Sequence, residues 1–369
     1  MKVQEVRLED SFGVTKRRYI LLNSDNQPIV PVVKYLKYLD NVGKAENTLK
    51  SYCYHLMLYY KFLDEVDNSY EDVSLELLSD FIGWLRHPYG GKKVVPLEEV
   101  AAVRSERTVN IILTCVIGFY DYLLRFQDYQ NEISKIVKTQ VSGSHRKFKS
   151  FLHHITQGKP VDKNILKLNE PKRRIKTLSE YQIKSIHDAC TNTRDSLLLL
   201  VLYEGGLRIS EALSLWIEDF DIGKNAITIR KSKTRAGEGR KVFVTEKTMN
   251  FFQDFLIEFH ADDIDTNYVF FKLTGPNRGQ PLDYSSTRSW VKRMKSKTGI
   301  DFTTHMFRHT YATELLRNGV NIKTLQDLLG HENVQTTIDI YLHPSDDDIR
   351  KEWERAHSNK MKKRIEDVE

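Results

Sequence analysis

Four segments in the first half of the chain carry apolar residues at the i, i+3, i+4 spacing of an amphipathic helix, and this pattern constrains the fold most. The segments, between residues 32 and 137, are VVKYLKYLDNV, TLKSYCYHLMLYYKFLDEV, LELLSDFIGWLR and TVNIILTCVIGFYDYLLRF. Thr48 is a candidate N-cap of the second helix, and Ser105 or Thr108 of the last one. We therefore predict a compact helical bundle, which we assign to residues 28–140.

β-structure is predicted in only a few places. Residues 1–27 hold short alternating runs before the turn signal NSDNQP, which indicates a small N-terminal β-hairpin or arm. In the second half, the alternating runs NAITIRKSK and GRKVFVT flank a glycine-containing loop and predict a hairpin, with NYVFFK as a further candidate strand. The remaining pattern is helical. The predicted fold class is therefore mainly α with a small β-hairpin or sheet, that is, α+β.

Length and composition restrict the class of protein. A chain of 369 residues suffices for about two domains, and 40% hydrophobic and 11% aromatic residues suffice for packed cores. No apolar run is expected to reach the ~20 residues that span a bilayer, and the first residues lack a hydrophobic signal segment. The cysteines Cys53, Cys115 and Cys190 lie far apart, as in proteins of a reducing compartment. We expect a soluble, cytoplasmic protein without a membrane partner.

Positive charge is concentrated between the two halves. Residues 145–176 hold ten lysines and arginines against two acidic residues, a net charge of +8, whereas the whole chain carries +6. A basic segment on a near-neutral body is typical of a phosphate-binding strip, although a solvated linker would have the same composition. Together with Pro171 this run marks a domain boundary, so we assign residues 141–176 to a basic interdomain linker. Thr177 or Ser179 is predicted to cap the first helix of the second domain.

One segment of the second half holds a set of residues suited to a single kind of chemistry. HMFRHTYATELLRNGVNIKTLQDLLGHENVQTTIDIY contains His305, Arg308, His331 and Tyr341, and Arg208 lies upstream in GGLRISEALSL. Paired guanidiniums are planar forks of donors that stay charged while negative charge grows on phosphate oxygens. A tyrosine hydroxyl with a pKa of ~10 attacks poorly unless a base or a cation assists it. The set therefore suits cleavage of a DNA phosphodiester by a tyrosine nucleophile.

The predicted elements would bring these residues to positions from which they can converge. His305 and Arg308 share one face of a helix because they are three residues apart. A helix over TLQDLLG ends at Gly330, so that His331 follows in the turn. Tyr341 then lies on or just before another helix.

The leaving 5′-oxygen needs a proton, which a lysine can supply. Lys233 lies at the hairpin end of the first predicted strand of the second half, and Lys231, on the same strand face by the period of two, is its rival. Glu211 is predicted to be a structural partner that holds an arginine, and His309 and His343 to be structural or to support neighbouring catalytic groups. Each of these candidate residues, taken alone, could have a purely structural role. Their occurrence together, in this order along the chain, indicates catalysis. This chemistry requires no metal or nucleotide, so no cofactor is predicted.

The second half resembles the catalytic domain of the tyrosine recombinases, the phage-integrase family. The resemblance covers about residues 177–342 and rests on GGLRISEALSL, the KSKT of the hairpin, HMFRHTYATELL, LLGHENVQTT and IYLH. The helical first half resembles the family's core-binding domain with lower specificity, and the two halves are implied to form a C-shaped clamp around duplex DNA. The ending TTIDIYLHPSDDD is similar to that of transposon-encoded recombinases, which implies an integrase or transposase of a mobile element.

The resemblance also implies roles for residues. Residues 177–344 would form the catalytic domain, and residues 345–369 a tail helix that docks in cis or on a neighbouring protomer. The scissile phosphate would be bound by Arg208, Arg308 and His331.

The other implied roles concern the nucleophile and the protons. Tyr341 would form a 3′-phosphotyrosine bond and release a 5′-hydroxyl, His305 would assist removal of the tyrosine proton, and Lys233 would be the general acid. The covalent bond conserves energy, so rejoining needs no ATP, and two rounds on four protomers would pass through a Holliday junction. The interval from His331 to Tyr341 is one residue longer than in many family members, which turns a helical side chain by ~100°.

Double-stranded DNA, at a recombination site or the ends of an element, is the implied partner. A dimer would bind each site and a tetramer would form in synapsis, with a second element-encoded recombinase as an open alternative. Candidate contacts to the DNA backbone or bases lie on the polar faces of the first domain, in the basic linker and on the hairpin. They are Lys50, Tyr54, Arg104, Arg107, Arg146, Lys147, Lys172, Arg173, Arg174, Lys231 and Arg235, with Ser51 and Asn110 as further candidates.

Two other functions share part of this pattern. A type IB topoisomerase has similar active-site chemistry but relaxes supercoils without synapsis. A catalytically silent accessory factor would bind DNA without forming a covalent adduct. The core-binding-like half and the tail favour a recombinase over a topoisomerase, and the complete set of active-site candidates favours an enzyme over an accessory factor.

Overall fold

The structure is a computed structural model in which the chain forms two compact units, Met1–Lys172 and Arg173–Glu369. The described residues are 1–9, 15–87, 102–126, 129–141, 161–171, 175–260 and 264–341, together with Arg350, Trp353, Glu354 and His357.

The first unit begins with the predicted hairpin. Strands β1 (Lys2–Glu9) and β2 (Thr15–Leu22) pair antiparallel. Arg18 joins this hairpin to the bundle, since its Nε donates to Asp40 Oδ2 at 2.7 Å. The helices of the unit are α1 (Val30–Asn41), α2 (Glu46–Glu65), α3 (Leu75–Arg86), α4 (Glu106–Phe126) and the short α5 (Ile133–Ile136).

The core of the first unit is rich in aromatic side chains, and α4 runs through it. Tyr59 and Tyr120 are fully buried, and their hydroxyls lie 2.6 Å apart, so each polar group has a partner. Among the described helices, α4 is long and apolar enough to span a membrane, contrary to the expectation from sequence. Most of it is buried inside the unit, which accounts for its apolar composition.

Of the two N-caps predicted for the bundle, one is present and the other is not. Thr108 N–H donates to Ser105 Oγ at 3.4 Å, so Ser105 caps α4 as predicted. Thr48 is not the cap of α2, because the helix already begins at Glu46 with Ala45 at the N-cap and without a side-chain cap.

Part of the predicted linker completes the first unit. Strands β3 (Lys138–Val141) and β4 (Val161–Asn164) pair antiparallel. Leu166 and Leu168 then pack on the core. The amide of Asn110 receives the Leu168 N–H at 2.9 Å and donates to the Leu168 carbonyl at 3.0 Å. The described part of this segment is therefore held against the helices, because a buried asparagine on α4 satisfies its backbone.

The second unit is mainly helical. Ser179 caps its first helix with a capping box that involves Gln182, as one of the two predicted caps. Its central helix is buried along residues 195–202. The helices are α6 (Glu180–Asp188), α7 (Thr193–Glu204), α8 (Ile209–Ala212), α9 (Glu246–Phe259), α10 (Tyr284–Thr298), α11 (Thr304–Arg317), α12 (Ile322–Leu329) and α13 (Val334–Tyr341).

The predicted hairpin of the second unit is present, but its strands are shorter than expected. β5 (Phe220–Asp221), β6 (Ala226–Thr228) and β7 (Lys241–Phe243) form an antiparallel sheet in that order. Because β6 ends at Thr228, Lys231 and Lys233 lie in the connection to β7 and do not share a strand face, contrary to the prediction. The segment NYVFFK forms only isolated bridges and no strand among the described residues.

Candidate active site

Arg308 lies at the centre of the site. On α11 it follows His305 by three residues, and its side chain is only 1% exposed. Its Nη1 donates to the Gly206 carbonyl at 2.9 Å, and its Nη2 donates to the Leu329 carbonyl at 2.5 Å and to His331 Nε2 at 3.0 Å. One guanidinium thus joins the ends of α7 and α12 to the histidine that follows α12.

Arg208 lies beside this cluster at the N-cap of α8. The chain reaches it through Gly206, whose φ of +60° and whose contact with the Tyr311 ring exclude a side chain. Arg208 Nη1 donates to Glu211 Oε1 at 2.7 Å and lies 3.5 Å from the Leu329 carbonyl oxygen. Its side chain is 18% exposed, so this guanidinium is open to solvent whereas Arg308 is not.

Glu211 is fully buried and binds the basic groups of the site, which confirms the prediction that it holds an arginine. Its carboxylate accepts from the Arg208 side chain, from Arg240 Nη2 at 2.7 Å and from Ser232 Oγ at 2.6 Å. Burial raises the pKa of this carboxyl, but the Arg240 guanidinium, the Ser232 hydroxyl and the Arg208 N–H outweigh it and lower the pKa to about 2. Glu211 is therefore ionised and fixes the geometry of the arginines.

His331 is held from several sides. α12 ends at Gly330 with a φ of +59°, as predicted, and the Gln326 side chain donates to the His331 carbonyl at 2.8 Å. Since Arg308 can only donate, His331 Nε2 accepts, and Nδ1 carries the proton toward Thr337 Oγ1, 2.9 Å away. Burial and the charge of Arg308 lower its pKa to about 4, so the ring is neutral near pH 7.

His305 lies one turn before Arg308 and is exposed. Its ring meets the edge of His309, with the centroids 4.5 Å apart. Partial burial of the ring, followed by the charges of Arg308 and Arg208, lowers the pKa of His305. A neutral imidazole at an accessible position can accept a proton.

Tyr341 is the last residue of α13, which places it on a helix as the sequence indicates. Its side chain lies outside the described part of the structure, so its role as nucleophile stays a prediction. Lys231 and Lys233 are both exposed on the connection after β6. This connection is bound to the end of α12, because Thr234 Oγ1 donates to the Gly330 carbonyl at 2.8 Å.

Four residues that were not predicted from the sequence support the site. Arg240, Ser232, Gln326 and Thr337 orient the candidates through the hydrogen bonds described above. No local signal marks them: Arg240, for example, lies 29 residues after the carboxylate that it binds.

Most candidate DNA contacts of the first unit are accessible in the structure, and one is not. Lys50, Tyr54 and Arg107 are exposed on α2 and α4. Arg104 donates to the Leu85 carbonyl at 2.8 Å, so it also stabilises the end of α3. Asn110 is buried against Leu168 and is not available to DNA.

The remaining DNA candidates belong to the basic segment and the hairpin. Arg235 is exposed on the connection that carries Lys233. The candidates that lie outside the described residues are Arg146, Lys147, Lys172, Arg173 and Arg174.

A helical unit followed by a helical unit with a small sheet, and a cluster of two arginines and a histidine, are the features of the tyrosine recombinases. Residues 176–348 match the phage integrase family, and residues 32–127 match the phage integrase N-terminal SAM-like domain. The chain belongs to the phage integrase family and is an enzyme of the tyrosine site-specific recombinase class.

Particular relatives agree with this assignment. The chain is 41% identical to transposase A from transposon Tn554 of Staphylococcus aureus, over 99% of its own length and 100% of that protein. It is 27% identical to the tyrosine recombinase XerA of Pyrococcus horikoshii, over 92% of its length and 96% of that protein.

Solved structures show the same fold. The Tn1549 transposon integrase in complex with transposon right end DNA has a TM-score of 0.58 at 18% identity, covering 89% of this chain and 99% of that one. The XerH recombinase bound to its difH substrate has a TM-score of 0.57 at 18% identity, covering 87% of this chain and 82% of that one.

Proposed function

We propose that the protein is the site-specific recombinase of a mobile element, which cuts and rejoins DNA strands through a covalent 3′-phosphotyrosine at Tyr341. The observation that carries this proposal is the convergence of Arg208, Arg308 and His331 on one hydrogen-bonded cluster around the Leu329 carbonyl. The similarity to transposase A of Tn554 over nearly the whole chain supports a mobile-element origin.

The arginines would act on the scissile phosphate. Arg208 is the partly exposed guanidinium, and it would donate to a non-bridging oxygen. Arg308 adds its positive charge from the buried side, where a low dielectric strengthens its attraction for the transition state. Both ring nitrogens of His331 are engaged by protein groups, so it would donate to the phosphate only if Nε2 released Arg308 and gained a proton.

The protons would move between His305, Tyr341 and Lys233. Neutral His305 would accept the proton of the Tyr341 hydroxyl as its oxygen attacks phosphorus. The bond to the 5′-oxygen would break, and Lys233 would protonate that oxygen to leave a free 5′-hydroxyl. A 5′-hydroxyl from the partner strand would then attack the phosphotyrosine in the reverse reaction, which returns the proton to tyrosine and needs no ATP.

Recombination requires two duplexes, and the proposal extends to the assembly. A dimer at each DNA site and a tetramer in synapsis would exchange one pair of strands to form a Holliday junction and a second pair to resolve it. The relatives support DNA as the partner, since Tn1549 integrase and XerH were solved on DNA. We place the reaction in the cytoplasm, in keeping with the free thiols of Cys53 and Cys115.

The test is a suicide-substrate assay. A nicked duplex with the end sequences of the element is incubated with the protein, without metal or ATP, and separated on a denaturing gel. Wild type is expected to form a covalent protein–DNA band, because a nick beside the cleavage site lets the short 5′-product diffuse away.

The matched control is Tyr341→Phe, which removes one hydroxyl and should bind the duplex without forming the adduct. A band that persists in this variant would show that another residue is the nucleophile. No band from wild type on DNA that it demonstrably binds would favour a silent accessory factor. Relaxation of supercoiled DNA without strand exchange would favour a topoisomerase.

A further inference from the structure

Arg240 lies just before β7 and bonds to its own loop and to two other segments of the second unit. Its side chain is 7% exposed. Its Nε donates to the Leu328 carbonyl at 2.9 Å, its Nη1 to the Gly237 carbonyl at 2.7 Å, and its Nη2 to Glu211 Oε2 at 2.7 Å. A guanidinium offers five donors in a rigid plane, so one arginine can satisfy three acceptors that a lysine could not reach together.

Each acceptor of Arg240 borders an active-site candidate. Leu328 lies in the last turn of α12, three residues before His331. Gly237 belongs to the connection between β6 and β7, which also carries Lys233. Arg240 therefore links the segment of the proposed proton donor to the segment of a proposed phosphate ligand.

A second contact joins the same two segments. The backbone of Gly237 lies so close to Gly330 that a Cβ on Gly330 would fall 2.6 Å from the Gly237 Cα. The hydrogen bond from Thr234 to the Gly330 carbonyl lies at the other end of this contact. We call residues 234–240 the docked loop, because these contacts hold it on the end of α12.

The position of Lys233 depends on the docked loop rather than on a strand. β6 ends at Thr228, and the backbone pairing with β7 reaches only Ile229, whose N–H donates to the Arg240 carbonyl at 2.9 Å. Lys233 directly precedes the docked loop and is itself exposed. Proton transfer needs donor and acceptor within ~3 Å, and a displacement of ~1 Å can slow a reaction about 100-fold.

We propose that Arg240 is a positioning residue for protonation of the leaving oxygen: by fixing the docked loop on α12, it holds Lys233 in register with the phosphate-binding groups. This inference rests on the proposed function. It assigns to Arg240 an effect on one chemical step, the departure of the 5′-oxygen, and none on DNA binding.

The experiment changes the leaving group. The suicide duplex is prepared with the ordinary 5′-bridging oxygen or with a 5′-bridging sulfur at the scissile phosphate. A thiol has a pKa of ~8.5 and leaves without a proton, whereas an alkoxide requires one. Arg240→Lys is expected to slow single-turnover cleavage of the oxygen duplex about 10–100-fold and to cleave the sulfur duplex at close to the wild-type rate.

Two variants serve as controls. Lys233→Ala should show the same pattern, loss on oxygen and recovery on sulfur, because it removes the proposed donor itself. Arg230→Lys makes the matched change in the same hairpin, where Arg230 binds Asp219 and covers the Trp216 ring. It should leave both rates unchanged, since none of these residues contacts the docked loop or α12 in the bonds described.

Each result decides the proposal. Slow cleavage of both duplexes by Arg240→Lys would overturn it, because Arg240 would then act through Glu211 and Arg208. Normal cleavage of both would overturn it as well. If Arg240→Lys fails to fold in a thermal melt, Thr234→Val, which removes one hydroxyl from the same contact, takes its place. A wild type without adduct on either duplex would overturn the proposed function itself, before any variant is compared.

Discussion

At the scale of residues, the site is organised by buried charge. Glu211 and Arg308 are both almost fully buried, and each satisfies its polar atoms with partners from distant segments. A buried ion is costly unless its partners are complete, and removing one partner costs about 3–5 kcal/mol. The sequence could predict that Glu211 holds an arginine, because GLRISE places Arg208 nearby. It could not predict Arg240, since only the fold brings it to the same carboxylate.

The lowered pKa of Glu211 predicts a pH-dependent contribution to stability. With a folded pKa of about 2 against an ordinary 4.5, the carboxylate stabilises the fold above pH 4.5, and this contribution is lost as the pH falls toward 2. The shift corresponds to roughly 3 kcal/mol. We expect Glu211→Gln to be less stable than wild type near neutral pH, with the difference shrinking as the pH is lowered from 4.5, measured by urea denaturation.

The control for this prediction is Glu218→Gln, which changes an exposed carboxylate in the same unit. Its stability should follow that of wild type at every pH. A deficit of Glu211→Gln that stays constant through the acid range would contradict the linkage and point to a steric defect.

At the scale of elements, periodicity predicted the helices and the hairpin, whereas tertiary contacts decided where they end. α12 ends at Gly330 as its glycine indicates, and His331 follows in a fixed place. β6 and β7 contain three residues each, although the alternating pattern continues for longer. Between the two strands the chain forms the docked loop, which binds α12 through contacts that no local pattern encodes.

Gly330→Ala should reduce stability and cleavage more than the same replacement at Gly299, another glycine that follows a helix. Gly330 and Gly299 both follow helices with positive φ, at +59° and +70°, so alanine costs ~1–2 kcal/mol of backbone strain at either position. At Gly330 the new Cβ would also meet the Gly237 backbone, whereas nothing lies within 4 Å at Gly299. We expect Gly330→Ala to lose more unfolding free energy than Gly299→Ala, measured by denaturation, and alone to slow suicide-substrate cleavage.

Equal stabilities and equal cleavage rates for the two alanine variants would contradict this prediction. They would show that the docked loop can shift to accept the new Cβ without loss of stability or of activity. Recovery of the Gly330→Ala rate on the sulfur duplex would instead place its defect in the proton-donating step, together with Arg240.

At the scale of the whole molecule, the two-unit organisation and the family could be predicted from the sequence. Long helical patterns and the combination of several motifs can be recognised without knowing how the elements pack. The basic segment was harder to interpret. Its composition indicated a linker, but residues from Val161 onward pair with β3 and pack on the first unit. That contact depends on Asn110, which lies 58 residues away from Leu168, and hence on the fold.

The tail provides the prediction for the assembly. Deleting residues 345–369 should leave DNA binding intact and reduce junction resolution at least about 10-fold, if the tail docks on a neighbouring protomer and contributes ~1.4 kcal/mol or more to coupling. Gel shift and resolution of a synthetic Holliday junction measure the two effects. Unchanged half-the-sites cleavage and resolution would show that the tail only packs on its own unit.

The anchoring of Leu168 has a consequence for how the chain engages DNA. The first unit holds the backbone at Leu168, and the second unit holds it at Leu178, whose N–H donates to Thr310 Oγ1 at 2.8 Å. About ten residues of chain span these points, with a reach of at most ~35 Å. Binding of one unit to a duplex would therefore keep the other unit within that reach of the same duplex. DNA contacts made by both units of one chain would therefore act bivalently, so that one unit could release and rebind while the other stays on the duplex.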